Sequence, residues 1–507
     1  MNQTDWDAIC VGGGITSLAF GAMVVRQNPD ARILVLDQHA RAGGYASTFA
    51  RPKAGAVFDC SLHKISGTAE GGNFWRLFQD LQLGDELNLF RHVDYFEACM
   101  PGGSLILPNE PDQLRRTLLD RFPADRAGIE QFFQELLSHG KDSYYQYQIF
   151  DGSYDADFQR LRWASRNLKD ITVADAFRER FSDGMLREIL SAPGLYVGGY
   201  PEDLSYLYFL HVVYATLCVG CAYVAESAQG LSDALARRIV TAGGQVKLSS
   251  PVQKISFSRG ENKHRVATSK EQFFSKNIYI NVAPHRAFQT LFEPEPALEP
   301  VAQKLSGLKP AWSTTTLYLT LDADPSGLGV SAIETMILPN PQEYCLRRRA
   351  ELEDPNCPVE VLEAVLWGAS PFELTNYHAL NAGAGRVLCL NILDTPEHWP
   401  ERRNPEYKAK KERARQVLLG RLYAAKPALE GHVVFSELAS PLTYQRFTGN
   451  TGGSGYGALV GKGASSHNFH FGFPFKGVHF LSAWVAGSGY EAAFAYAEVK
   501  AKALANL

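Results

Sequence analysis

Asp7-Ala8-Ile9-Cys10-Val11-Gly12-Gly13-Gly14-Ile15-Thr16-Ser17 decides the fold. A short strand-like run passes straight into three glycines, and an apolar stretch at helical spacing follows at once. A second strand-like run, Arg32-Ile33-Leu34-Val35-Leu36, ends in the acid Asp37. That acid lies about twenty residues beyond the glycines, the spacing of a dinucleotide-binding βαβ unit. In such a unit Gly12 permits the tight turn and Gly14 lets the backbone approach a pyrophosphate. The charge is then received by the N–H groups that open the helix, at Ile15 and Thr16. Ser17 stands where a third glycine is usual and is small enough for close helix–strand packing. Asp37, with Gln38 beside it, can accept hydrogen bonds from a ribose diol.

The next segment sharpens this. Arg41-Ala42-Gly43-Gly44-Tyr45-Ala46-Ser47-Thr48 places a second glycine pair close behind the acid. Simple nicotinamide dehydrogenases lack that pair, whereas flavoproteins with two dinucleotide folds carry it, so the cofactor reads as FAD rather than NAD. Glycine-rich turns of this kind also occur without a ligand. The agreement of strand, turn, helix and acid argues against that alternative here.

Composition narrows the class. The chain has 507 residues, enough for two intertwined domains, with 45% hydrophobic and 21% charged residues, as in soluble globular proteins. A formal charge of -4 gives no basic footprint for nucleic acid. Eight scattered cysteines do not form a disulfide framework, which predicts a reducing, cytoplasmic setting. Asp5 and Asp7 precede the apolar run Ile9 to Val25, so it lacks the basic start of a secretory signal. Leu204 to Val224 carries one acid-free, Lys/Arg-free stretch long enough to cross a bilayer, but His211, Gly220, two cysteines and many tyrosines interrupt it. It reads as a buried helix and strand lining an apolar cavity. Tyr144-Tyr145-Gln146-Tyr147-Gln148-Ile149-Phe150 reads as a cap, a membrane-touching lip or ordinary core.

The dinucleotide fold is expected to be discontinuous. Asp112 to about Leu190 is helical in pattern. Leu231 to Val240 reads as an amphipathic helix stopped by Gly243-Gly244, and Val252 opens a strand that reaches over the adenine. Ser313 to Leu321 and Arg386 to Ile392 read as partner strands of a second sheet, and a Lys/Arg-rich helix between Tyr407 and Leu422 as a solvated surface face. After the strand Val478 to Ala483, Gly487-Ser488-Gly489-Tyr490 opens the last helix, a second glycine turn suited to the flavin end of the pyrophosphate. The fold class is thus α/β: a discontinuous Rossmann-like FAD-binding domain (1–100, 226–295, 466–507), a helical cap (101–225) and a mixed α+β substrate domain (296–465).

These blocks, with Phe58-Asp59-Cys60-Ser61-Leu62-His63, resemble the phytoene desaturase-like flavoproteins. Pro441 to Gly457 looks like the block such enzymes carry before their last strand. Gly199-Tyr200-Pro201 with Leu210-His211-Val212-Val213-Tyr214 is similar to the carotenoid isomerase and retinol saturase branch. The resemblance implies one non-covalent FAD, a long apolar tunnel, and desaturation, saturation or cis–trans isomerisation of polyene C=C bonds. It also implies peripheral contact with a membrane; the electron partner stays open. Three departures stand out. Ser482-Ala483-Trp484 supplies no carboxylate where the family has an acid. Val224 to Gly230 replaces the family's Tyr-Pro-x-Gly-Gly block, and Asp37 stands where Glu is commoner.

A flavin supplies redox reactivity while the protein orients substrate and provides protons. Candidates for that work are His63, beside the Phe58-Asp59 block, His211 in the most apolar segment, and Tyr456. Each has a structural alternative: a backbone-satisfied histidine, a paired core histidine, a packed loop anchor. Arg446 reads likewise. Cys218-Val219-Gly220-Cys221 and His467-Asn468-Phe469-His470 lack the further ligands a metal needs, so no metal is expected. An amine oxidase, or a lipid-binding flavoprotein without turnover, shares the scaffold and remains an alternative.

Overall fold

The computed structural model describes residues 4–61, 64–146, 163–164, 166–260, 263–341, 357–463 and 472–505. Five strands form one parallel sheet: β1 (Ala8–Val11), β2 (Ile33–Leu36), β3 (Gln245–Lys247), β4 (Ile278–Ile280) and β5 (Val478–Phe480). Their spatial order is β3-β2-β1-β4-β5. Cys10 at the centre of β1 faces Val35 on one side and Tyr279 on the other. The strands come from three distant stretches of chain, as a discontinuous Rossmann-like fold requires. β1, β2 and β4 are buried throughout, which is why they read as unbroken apolar runs rather than alternating ones.

Helix α1 (Ile15–Gln27) leaves β1 through the glycine turn and packs against α2 (Ser227–Thr241) and α3 (Tyr490–Ala505). Flanked on both sides, it buries ten of its 13 residues. A helix apolar all round needs this setting.

A second sheet has seven strands, in the order Val433–Ala439, Ser313–Leu321, Val387–Asp394, Phe372–Asn376, Glu334–Ile337, Asp94–Met100, Gly103–Pro108. The Ser313–Leu321 and Val387–Asp394 strands pair antiparallel, with Tyr318 opposite Cys389. Asp94–Met100 and Gly103–Pro108 are neighbours in this sheet, so a boundary at residue 100 falls between two paired strands. A largely helical layer includes Pro111–Arg121, Arg126–Glu135, Val173–Arg180 and Tyr206–Val213, which pack on one another.

The apolar run from Leu204 folds as the helix Tyr206–Val213, a widened turn Tyr214–Cys218 and a strand Cys221–Val224. Among the described residues no helix is long and apolar enough to cross a membrane. Burial pushes the thiols of Cys218 and Cys221 up to about 12, which keeps both protonated. Tyr147 to Phe150 and His467 to His470 lie outside the described residues.

Two local expectations change. α2 begins at Ser227, four residues before the sequence pattern starts, because Asp59 reaches its first turn: Oδ1 accepts from Ala228 N at 2.9 Å and Oδ2 from the Tyr223 hydroxyl at 2.6 Å. A carboxylate at a helix N-terminus satisfies unpaired amides and complements the dipole. Its partner lies far away in sequence, so no local pattern announces it. The basic helix, Pro405–Ala425, is not solvated on its whole charged face: Lys410 is buried and pairs with Glu363 at 2.6 Å.

Tyr223→Phe keeps the packing but removes one charge-assisted bond to Asp59, and is expected to cost about 2 kcal/mol. Denaturant unfolding of wild type and variant, both without cofactor, measures this.

Candidate functional site

Where β1 meets α1, three backbone segments crowd together. Gly12 has φ +99°, and a Cβ there would lie 2.5 Å from the Asn281 carbonyl oxygen. A Cβ on Gly14 would lie 2.8 Å from the Asn281 side-chain amide. Gly14 also bridges to Gly43, and Gly43 N donates to Gly13 O at 2.7 Å. Gly14 caps α1 without a side chain, so no side chain covers the opening amides. Asp37 lies beside this turn, and its carboxylate is already engaged: Oδ2 accepts from Gly13 N at 2.6 Å and Oδ1 from His39 N at 2.7 Å. It therefore shapes the turn as well as facing the space beside it.

A cavity of about 920 Å³ starts from this point. One end is walled by Val252, Gln38 and Arg286, whose guanidinium donates to Gln38 Oε1 at 3.1 Å. Gly12, Gly14, Ile15, Thr16, Asp37, Arg41, Gly43 and Gly44 line its course. Gly487, Gly489 and Tyr490 line it from the other side, so both glycine turns face one continuous space. Ser17 is not in the wall; it is fully buried in the α1–sheet packing, where a larger residue would push the layers apart. Asn281 Nδ2 and Ser482 Oγ, on two wall residues, are buried polar atoms with no hydrogen-bond partner among the described residues.

Beyond the glycine turns the cavity continues under the helical layer and over the second sheet. Tyr45, Tyr208, Tyr318, Tyr444 and Tyr456 line it, with Val212 and Ala215 from the apolar segment and Val197 from the Ala192–Val197 turn before it. Burial raises the Tyr456 hydroxyl above its ordinary range and pushes Tyr208 up to about 12. These phenols are neutral hydrogen-bonding groups, not bases.

His211 reaches the cavity from the helix Tyr206–Val213, and its Nδ1 lies 3.0 Å from the Ser143 carbonyl oxygen. Only a protonated Nδ1 satisfies that acceptor, so the neutral ring keeps its lone pair on Nε2. Burial away from bulk water pushes its pKa down to about 4, with the Ser143 carbonyl opposing. His211 is thus an uncharged acceptor near neutral pH. His63 lies outside the described residues.

Sequence reasoning missed several wall residues. Lys64 Nζ forms an ion pair with Glu334 Oε2 at 2.5 Å and donates to Tyr95 O at 3.0 Å and to the Tyr196 hydroxyl at 3.2 Å, with lysine and glutamate side chains only 5% and 1% exposed. The ammonium is engaged by a carboxylate, a carbonyl and a hydroxyl, so Lys64 braces the wall rather than offering a free cation. Glu491, in the first turn of α3, is 6% exposed and lines the same space. Its Oε2 lies 2.5 Å from Ser66 Oγ, its Oε1 accepts from Asn73 Nδ2 at 3.2 Å, and the Tyr144 hydroxyl bonds Oε1 more closely. Burial raises this carboxyl above the usual carboxylate range against those donors. The chain thus does carry an acid after its last strand, displaced by a few residues from Ser482-Ala483-Trp484. Its place two residues past Gly489 was the available signal.

His211→Gln tests the neutral imidazole. A histidine whose folded pKa is depressed loses stability as pH falls, here from about 6.5 towards about 4. Thermal melting across that range should show wild type losing more stability on acidification than the variant does.

Residues 10–81 match the model of the NAD(P)-binding Rossmann-like domain. All-trans-retinol 13,14-reductase of Rattus norvegicus is 22% identical over 478 residues, spanning 89% of this chain and 77% of that protein. The chloroplastic prolycopene isomerase of Arabidopsis thaliana is 22% identical over 477 residues, spanning 90% and 74%. Among solved structures, a redesigned putrescine oxidase superposes with a TM-score of 0.66 at 14% identity, covering 99% of each chain, which is a likeness of fold. The glycine turns, the split parallel sheet and matches along nearly the whole chain make it similar to the retinol 13,14-reductase and prolycopene isomerase proteins.

Proposed function

We propose that this chain is an FAD-dependent oxidoreductase acting on C=C bonds of a long, largely apolar substrate of polyene or isoprenoid type. The observation that carries this reading is the single cavity joining the two glycine turns to a wall drawn from the apolar Tyr206–Cys218 segment. In this reading the parallel sheet with its glycine turns holds the cofactor, and the helical layer and second sheet hold the substrate.

The residues present fit FAD. A side chain on Gly12 or Gly14 would collide with Asn281 and disturb the turn, and the opening amides of α1 are uncapped. Asn281 Nδ2 and Ser482 Oγ are donors buried at the wall without a partner among the described residues. Asp37 faces the ribose position, Val252 and Gln38 the adenine end, and Arg41, Gly43, Gly44, Gly487, Gly489 and Tyr490 the stretch towards the flavin. Bound FAD supplies hydride exchange with a substrate carbon. Val197, Val212 and Ala215 exclude water from an apolar chain, while Tyr208 and Tyr456 orient it through neutral hydroxyls. His211 Nε2 accepts a hydrogen bond from a polar substrate terminus; with a pKa near 4 it is a poor proton donor at neutral pH. Names of relatives support the same class, since one is a retinol reductase, one a prolycopene isomerase and one a 4,4'-diapolycopen-4-al dehydrogenase.

A second reading, an amine oxidase, is favoured by the tyrosine-lined wall with a buried carboxyl near it. Anaerobic incubation of the FAD-loaded protein with retinoid and carotenoid substrates, in oxidised and reduced form, separates the cases. A product differing by two hydrogens supports the proposal. Unchanged mass with altered retention indicates isomerisation, and peroxide release with an amine indicates the second reading.

Gly12→Ala places a Cβ against the Asn281 carbonyl at a backbone angle L-residues avoid, a strain of about 1–3 kcal/mol. FAD affinity, read by quenching of flavin fluorescence, should fall about tenfold or more.

A further inference from the structure

Glu491 is unlike every other acid of the cavity. Asp37 is tied to backbone amides at the entrance, and Glu437 to the Arg51 guanidinium, whereas among the described residues Glu491 has no cation among its hydrogen-bond partners. Three neutral groups on three different elements converge on it: Ser66 from the strand Ile65–Ser66, Asn73 from the helix Asn73–Asp80, and Tyr144 from the helix Lys141–Tyr144. A buried charge without a counterion is costly, so this setting favours the neutral acid. The same three groups can all donate to the carboxylate once a proton has left. Burial and donors therefore pull in opposite directions, the balance that keeps an acid both loaded and able to discharge.

We propose that Glu491 is the proton donor of this cavity, resting as a neutral carboxylic acid and protonating the substrate carbon next to the one that receives hydride. This rests on the C=C oxidoreductase reading and adds the residue that completes its reductive direction. The balance is simple. The hydride and its electron pair come from reduced flavin, itself recharged by a two-electron reductant. The C=C π bond breaks as C–H bonds form on both carbons, the Glu491 O–H bond breaks, and its electron pair remains on a carboxylate. Ser66, Asn73 and Tyr144 stabilise that carboxylate, and water recharges it between turnovers. In the opposite direction the same carboxylate receives the proton.

Other groups near it do not replace it. Tyr144 is itself raised well above its ordinary value by burial and by Glu491, and Tyr145 and the Cys221 thiol are also held protonated. Arg76 on the Asn73–Asp80 helix is directed to Asn73 Oδ1 and Glu498. His211, packed on Tyr144, is neutral with its Nδ1–H committed to Ser143.

The test uses FAD-loaded wild type, Glu491→Gln and Glu491→Asp. Infrared spectra near neutral pH should show the carbonyl stretch of a protonated carboxyl in wild type. The band should be absent from Glu491→Gln and displaced in Glu491→Asp, with flavin uptake retained in both. Reduced wild type mixed with an accepted C=C substrate should reoxidise and, in deuterated water, place one deuterium on the product carbon. Glu491→Gln should slow that step by about 10²-fold or more, and Glu491→Asp by less. Absence of the wild-type band, or its survival in Glu491→Gln, overturns the proposal whatever the activity. So does a Glu491→Gln enzyme that reduces substrate at the wild-type rate. If the band belongs to Glu491 but wild type reduces no C=C substrate, the reaction reading has failed and takes the donor role with it.

Discussion

Gly14 has no room for a side chain, because a Cβ there would lie 2.8 Å from the Asn281 amide. Gly43 bridges to it, a Cβ on Gly44 would lie 3.3 Å from its Cα, and the Asn281 amide closes the third direction. Three segments far apart in sequence thus meet through backbone alone, at the end of β1 and the start of α1. Asp37 fastens the arrangement by accepting the Gly13 amide. The parallel sheet makes this convergence possible, since β1, β2 and β4 all end at the same edge with their amides and carbonyls paired. An uncapped helix N-terminus at that edge is an electrostatic opening for an anion.

From there the cavity is built by two kinds of wall. The apolar segment after Leu204 contributes side chains whose burial favours hydrocarbon over water. Opposite it, tyrosines from the second sheet and the block before the last strand contribute hydroxyls held neutral by burial. The Lys64–Glu334 pair braces the junction. Removing either partner leaves an unpaired buried charge, so the pair constrains geometry more than it adds net stability. Such a wall suits a molecule that is mostly apolar but has a polar terminus. Its electrostatics are asymmetric, with backbone donors for an anion at one end and a buried carboxyl among neutral donors beyond the second glycine turn.

Asp59 shows how one residue can look functional and act structurally. In sequence it belongs to the Phe58-Asp59 block beside the glycine pair. In the fold it anchors the start of α2 and the Tyr223 hydroxyl, joining the Thr48–Arg51/Ala56–Asp59 hairpin to the helix behind the sheet. Ser227 takes a left-handed backbone angle, φ +77°, to let that helix begin. Neither feature has a local signature, because the partner residues are distant along the chain.

The amino-acid order alone determined the dinucleotide fold, its interruption by other segments, and the two glycine turns that face the cavity. Those properties are written in short-range terms: apolar runs for buried parallel strands, glycine where backbone must approach backbone, an acid at a fixed distance. The tertiary structure alone decided which polar groups share the cavity. Lys64, Asn73, Tyr144 and Glu491 come from separate stretches of chain, and each is unremarkable in its own stretch of sequence. It also decided protonation, because the state of His211 and Glu491 follows from burial and from neighbours distant along the chain, Ser143 for the first and Ser66, Asn73 and Tyr144 for the second. Local pattern records what a residue does to its own helix or strand. Charge, solvation and hydrogen bonding are set by whatever the folded chain brings within a few ångströms.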